Sequence, residues 1–101
     1  MIRHIVFFTC RKAEDLAAVR DGLAVLAGIP HALKLEIGTN EKADQLGNEV
    51  DLVVYGEFAD EAALAAYKAH PLYQTSIDLV RPIRELRLAA DYDTAKAVGR
   101  G

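Results

Sequence analysis

The chain has 101 residues, 51% of them hydrophobic and 27% charged, with a formal net charge of −3. That composition excludes a disordered chain and fits one small globular domain; it gives no electrostatic reason to expect nucleic acid or an anionic membrane as a partner. A single cysteine, Cys10, excludes an internal disulfide and suits a reducing compartment, so the cytoplasm is the expected location. No apolar run approaches the roughly 20 residues of a membrane span, and no signal peptide is legible.

Taken in order, Ile2 to Thr9 reads as a strand. One face carries Ile2, His4, Val6 and Phe8, the other Arg3, Ile5, Phe7 and Thr9, so both faces are largely apolar. Glu14 to Ala27 reads as a helix, because Leu16, Val19, Leu23 and Leu26 fall on one stripe; Gly28 caps it and Pro30 blocks continuation. Leu33 to Thr39 is a second strand whose alternation, Leu33, Leu35 and Ile37 against Lys34 and Glu36, suits a half-exposed position. Gly38 to Asn48 is polar and connects it to the third strand.

That third strand is the run Leu52 to Tyr55, suited to burial on both faces; Gly56 marks a bulge or a close contact. Asp60 is placed to cap a second helix, in which Leu64 and Tyr67 share a face and which Pro71 stops. Tyr73 to Val80 reads as a short third helix ended by Pro82, and Ile83 to Ala90 as the fourth strand, closed by Asp91. Residues 1–93 then form the domain and 94–101 a mobile tail.

The order is β-α-β-β-α-(α)-β, the ferredoxin-like split βαβ pattern: an α+β fold with a four-stranded antiparallel sheet and helices on one face. Helices on one side cannot also serve Ile5, Phe7, Val53 and Tyr55. Aromatic side chains bury about 150 Å² or more each. The patch would reach the roughly 300–600 Å² that is the largest usual on a monomer. A symmetric homodimer, joined through the open sheet face into a barrel, is therefore expected.

The opening RHIVFF, the DLVVYGEF strand, the DEAALAAYKAHPLY helix and stop, and the closing AADYD resemble the stress-responsive dimeric α/β-barrel (Dabb) family, over Ile2 to Asp93. The Phe58, Tyr67, His70-Pro71 spacing, together with His4 in the first strand, carries most of the resemblance. It implies a barrel dimer and an association with stress, and it leaves the chemistry open. One branch of the family closes polyketides by aldol condensation in a pocket flanked by two histidines and helped by tyrosines. His4 stands where the first histidine would be and Tyr67 where the helix tyrosine would be, but the second histidine position holds Tyr73.

The candidate site residues are His4, Tyr67, Tyr73 and His70. His4 is either a core histidine held by a hydrogen bond or a pocket group able to move a proton. Tyr67 and Tyr73 either pack in the core or line that pocket with it. His70, before Pro71, suits helix termination. Cys10 suits packing. Scattered histidines and the lack of HxxxH, CxxC or GxGxxG spacing imply no metal and no cofactor. The expected function is a dimer binding a small apolar or aromatic molecule near His4, without an assigned activity. The alternatives are a cofactor-free acid–base enzyme, such as a cyclase, isomerase or monooxygenase, and a stress-protective assembly.

Overall fold

The computed structural model describes residues 1–101. Its elements are β1 (Ile2–Cys10), α1 (Leu16–Ala24) between 3₁₀ turns at Ala13–Asp15 and Val25–Gly28, β2 (Lys34–Thr39), β3 (Leu52–Phe58), α2 (Glu61–Ala69), α3 (Pro71–Val80) and β4 (Arg84–Asp93). The sheet is antiparallel throughout, in the order β2-β3-β1-β4. The two strands that are apolar on both faces, β1 and β3, are thus the central pair. The alternating β2 and the more polar β4 take the edges, where a strand tolerates water.

One face of the sheet is buried. Ile2, Val6 and Phe8 of β1 and Leu52, Val54 and Phe58 of β3 join Val19, Leu23 and Leu26 of the first helical segment, and Ile29 just after it, in one core, with Leu64 and Tyr67 of α2 and Val80 of α3. Helix α1 and α3 approach closely at Gly22. A Cβ there would lie 2.8 Å from Val80 Cγ2, and the buried Ser76 hydroxyl donates to the Gly22 carbonyl at 2.9 Å. The single helix expected over Glu14–Ala27 is tightened at both ends into 3₁₀ turns, where the i→i−4 ladder runs out of partners.

Gly56 is a close contact rather than a bulge. Pairing of β1 with β3 is continuous through it, and a Cβ would meet the Phe58 ring at 2.8 Å. Asp60 caps α2, its carboxylate accepting from the Ala63 amide at 2.8 Å. Pro71 both ends α2 and starts α3, at the first helical position, where a missing N–H leaves nothing unsatisfied. The third helix therefore begins two residues before the expected Tyr73.

Strand β4 runs on past Ala90 to Asp93, because main-chain pairing with β1 continues through His4↔Asp91 to Ile2↔Asp93. Beyond it, Thr94–Lys96, expected in the mobile tail, form a 3₁₀ turn. The Thr94 amide donates to the Met1 carbonyl at 2.9 Å, and Asp93 accepts from the Ala95 amide at 2.9 Å. No helix is long and apolar enough to cross a membrane.

The other sheet face carries no helix. Phe7 (38% exposed), Leu86 (48%), Leu88 (54%) and Tyr92 (39%) are among the exposed large apolar side chains. Ile5, Val53 and Tyr55 beside them are only half-buried. Arg3 and Glu57 tie down the tyrosines of this face: Arg3 donates to the Tyr92 hydroxyl at 3.0 Å, and the Tyr55 hydroxyl donates to Glu57 at 2.6 Å.

A candidate site between the sheet and the third helix

The buried strand face and α3 enclose a cavity of about 320 Å³. That is at the small end of the roughly 300–1,000 Å³ usual for small-molecule sites. His4, Tyr67 and Tyr73 all line it; His70 does not. The structure brings together three of the four expected site residues and puts the fourth to other work. His70 has extended backbone (φ −68°, ψ 142°) between two helices, and its Nδ1 accepts from the Leu72 amide at 3.1 Å. That bond occupies the ring as the N-cap of α3. His31 packs edge-on against it, 6.2 Å between ring centroids, away from the cavity lining.

His4 is 1% exposed. Its position follows from the period of a strand: residues 2, 4, 6 and 8 of β1 share the buried face. Its Nδ1 is bonded to the carboxylate of Asp91, directly across the β1–β4 ladder. A carboxylate accepts, so Nδ1 carries the hydrogen and Nε2 of the neutral ring keeps its lone pair. Phe58 and Tyr67 meet the ring edge-on, with centroids 6.3 and 6.2 Å away. Sequence reading missed Asp91, because an acidic residue after an apolar strand looks like its end. Setting Asp91 against His4 by antiparallel register was the available clue.

Tyr67 is also 1% exposed. It packs against Phe58 and Tyr73, centroids 4.9 and 5.4 Å away. Its hydroxyl has no hydrogen-bond partner within the protein, while it lines the cavity. Burial, reinforced by Tyr73 and opposed by Arg87, pushes its pKa well above that of an ordinary tyrosine. It therefore stays a neutral phenol, a hydrogen-bond donor facing the cavity. Three arginines, Arg81, Arg84 and Arg87, complete the lining, and no acidic residue belongs to it. Sequence reading named only histidines and tyrosines as candidate site residues and passed over these.

Cys10 lies outside the cavity lining. Burial, with the neighbouring Asp51 carboxylate, pushes its thiol pKa up, which makes it a poor nucleophile. Histidine, cysteine and acidic side chains gather nowhere in groups of three with metal-ligand geometry.

A split βαβ sheet, helices on one side only and a cavity roofed by the helix after a His-Pro stop define a ferredoxin-like α/β-barrel protomer. The family model described as the stress responsive A/B barrel domain matches residues 2–94, and the chain belongs to that family. Among solved structures it is similar to a Dabb family protein with a ferredoxin-like fold from Mesorhizobium loti. The two are 27% identical, with a TM-score of 0.77 and 97% of each chain covered. A dimeric protein of unknown function with a ferredoxin-like fold from Bacteroides fragilis is 25% identical, TM-score 0.74, covering 91% of this chain and 94% of that one. A candidate antibiotic biosynthesis monooxygenase from Nitrosomonas europaea shares the fold at 19% identity, TM-score 0.72, covering 92% of this chain and 97% of that one. No curated protein matches the chain.

Proposed function

We propose that this protein is a homodimer that binds a small apolar or aromatic molecule in the cavity beside His4. The observation that carries this reading is the Tyr67 hydroxyl, which belongs to a buried residue, has no protein partner and lines the cavity. A ligand carbonyl in the cavity would accept from this free donor, a bond worth about 0.5–1.5 kcal/mol. The dimer is supported by the exposed apolar side chains of the open sheet face and by the dimeric Bacteroides protein. Low cysteine usage supports a cytoplasmic location.

Calorimetry with the aromatic ketone tetralone tests the binding site. The wild type should bind it, and Ile77→Trp, which fills the cavity from its half-buried α3 wall, should not, while circular dichroism stays native. Equal binding by both would place the ligand elsewhere.

A second reading, cofactor-free acid–base catalysis, is favoured by the His4–Asp91 pair. His4 Nε2 would take a proton from the carbon next to a ligand carbonyl. The C–H electron pair would move into a new C=C bond, and the carbonyl π pair onto oxygen as an enolate. Tyr67 would donate a hydrogen bond to that oxygen, and Asp91 would stabilise the imidazolium. Proton NMR of tetralone in heavy water reads this step. Exchange of the α-hydrogens faster than in buffer, lost in His4→Ala, supports it; exchange at the buffer rate leaves a binding protein only.

A further inference from the structure

We propose that the ligand carries an anionic head group, a carboxylate or a phosphate, held by Arg81, Arg84 and Arg87, with its apolar body extending inward to Tyr67 and His4. This rests on the cavity being a binding site and adds the chemical class of what enters it. The protein as a whole is acidic, net −3, yet this one cavity is lined by three arginines and no acid. The ion pairs of the molecule are formed elsewhere: Met1 with Asp93, Lys34 with Glu36 and Lys42 with Asp51. The three guanidinium groups are thus left without a carboxylate.

Their convergence is built into the backbone. Residues three apart on a regular strand point to opposite faces. Arg84 and Arg87 are three apart on β4, yet both line the cavity. The cause is a shift in pairing: Phe8 faces Arg87 and Cys10 faces Arg84, so two steps on β1 answer three on β4. A bulge of this kind turns a side chain to the other face. The Thr9 hydroxyl supports it by accepting from the Leu86 amide at 2.9 Å. Arg81 joins from the C-terminal cap of α3. Arg87 also donates to the Tyr73 hydroxyl at 3.4 Å, which links the charged mouth to the aromatic interior.

Guanidinium groups are suited to this task, because their planar forks bond carboxylate and phosphate oxygens in pairs. Arg81 and Arg87 are exposed and Arg84 is half-buried, so an anion can reach them from solvent.

Three probes with the same ring system test the proposal: naphthoate, naphthyl phosphate and the neutral naphthylmethanol, titrated into the intact protein by calorimetry. One of the anions should bind tighter than the alcohol by about tenfold or more, a preference that added salt reduces. Which anion leads identifies the head group. In Arg81→Gln/Arg84→Gln/Arg87→Gln the preference should vanish while the alcohol binds as before; the Arg11 bond to the Arg84 carbonyl is a backbone contact and survives. Equal binding of all three probes by the wild type would overturn the anion proposal and leave the cavity reading standing. A preference that persists in the triple variant would overturn the assignment to these arginines. Binding of none of the probes would overturn both readings. Single Arg87→Gln, with its melting curve, guards against misfolding of the triple variant and should lose part of the preference.

Discussion

The two faces of one sheet have opposite fates. On β1, Ile2, His4, Val6 and Phe8 are all buried beneath helices, while Phe7 on the other side is 38% exposed and Ile5 only half-buried. The same alternation divides β3, where Leu52, Val54, Gly56 and Phe58 are buried and Val53, Tyr55 and Glu57 are not. Both faces are apolar, so hydrophobicity alone does not tell them apart. What differs is the company each keeps: the helix face includes a buried histidine bonded to a carboxylate and an unpartnered phenol, whereas the open face presents apolar side chains with their polar groups tied at the rim. An oriented imidazole and a free phenol that line a cavity suit chemistry or recognition, and exposed apolar area suits a second copy.

The contrast can be broken most severely from the helix side. Phe58 is fully buried. Phe58→Ala should cost about 3–5 kcal/mol and shift the urea midpoint accordingly. An unchanged midpoint would mean that the core lies elsewhere. On the open face, Leu88→Asp should leave the protomer folded but shift the mass in light scattering from twice 11.0 kDa toward 11.0 kDa. A dimer that survives this change would use another surface. A finer probe is Gly56→Ala, where the added methyl group meets the Phe58 ring at 2.8 Å. Overpacking there should cost about 1–3 kcal/mol with the fold retained. A neutral or stabilising result would show that Phe58 moves aside freely.

Much of this was legible in the sequence because it depends on periodicity. The two-faced strands Ile2–Thr9 and Leu52–Tyr55, the Asp60 cap and the Pro71 stop are local patterns, and each stands where it was expected. Placing His4 on the same face as Phe8 needed only the strand period. The rest of the site depends on which strands are neighbours and in what register. Asp91 becomes the partner of His4 only because β4 lies beside β1, and Arg84 joins Arg87 only because the ladder slips between Phe8 and Cys10. Neither fact is written in the local sequence around those residues. His70 stood among the candidate site residues, but its place before Pro71 suited helix termination, and the structure makes it the cap of α3.

The three histidines offer the most direct test. His4 lines the cavity; His31 and His70 meet edge-on outside its lining. Heteronuclear NMR of the histidine ring nitrogens, recorded while tetralone is titrated, should show the His4 signals moving to saturation with those of His31 and His70 unchanged. Stationary His4 signals, in a protein that calorimetry shows to be binding tetralone, would contradict the account.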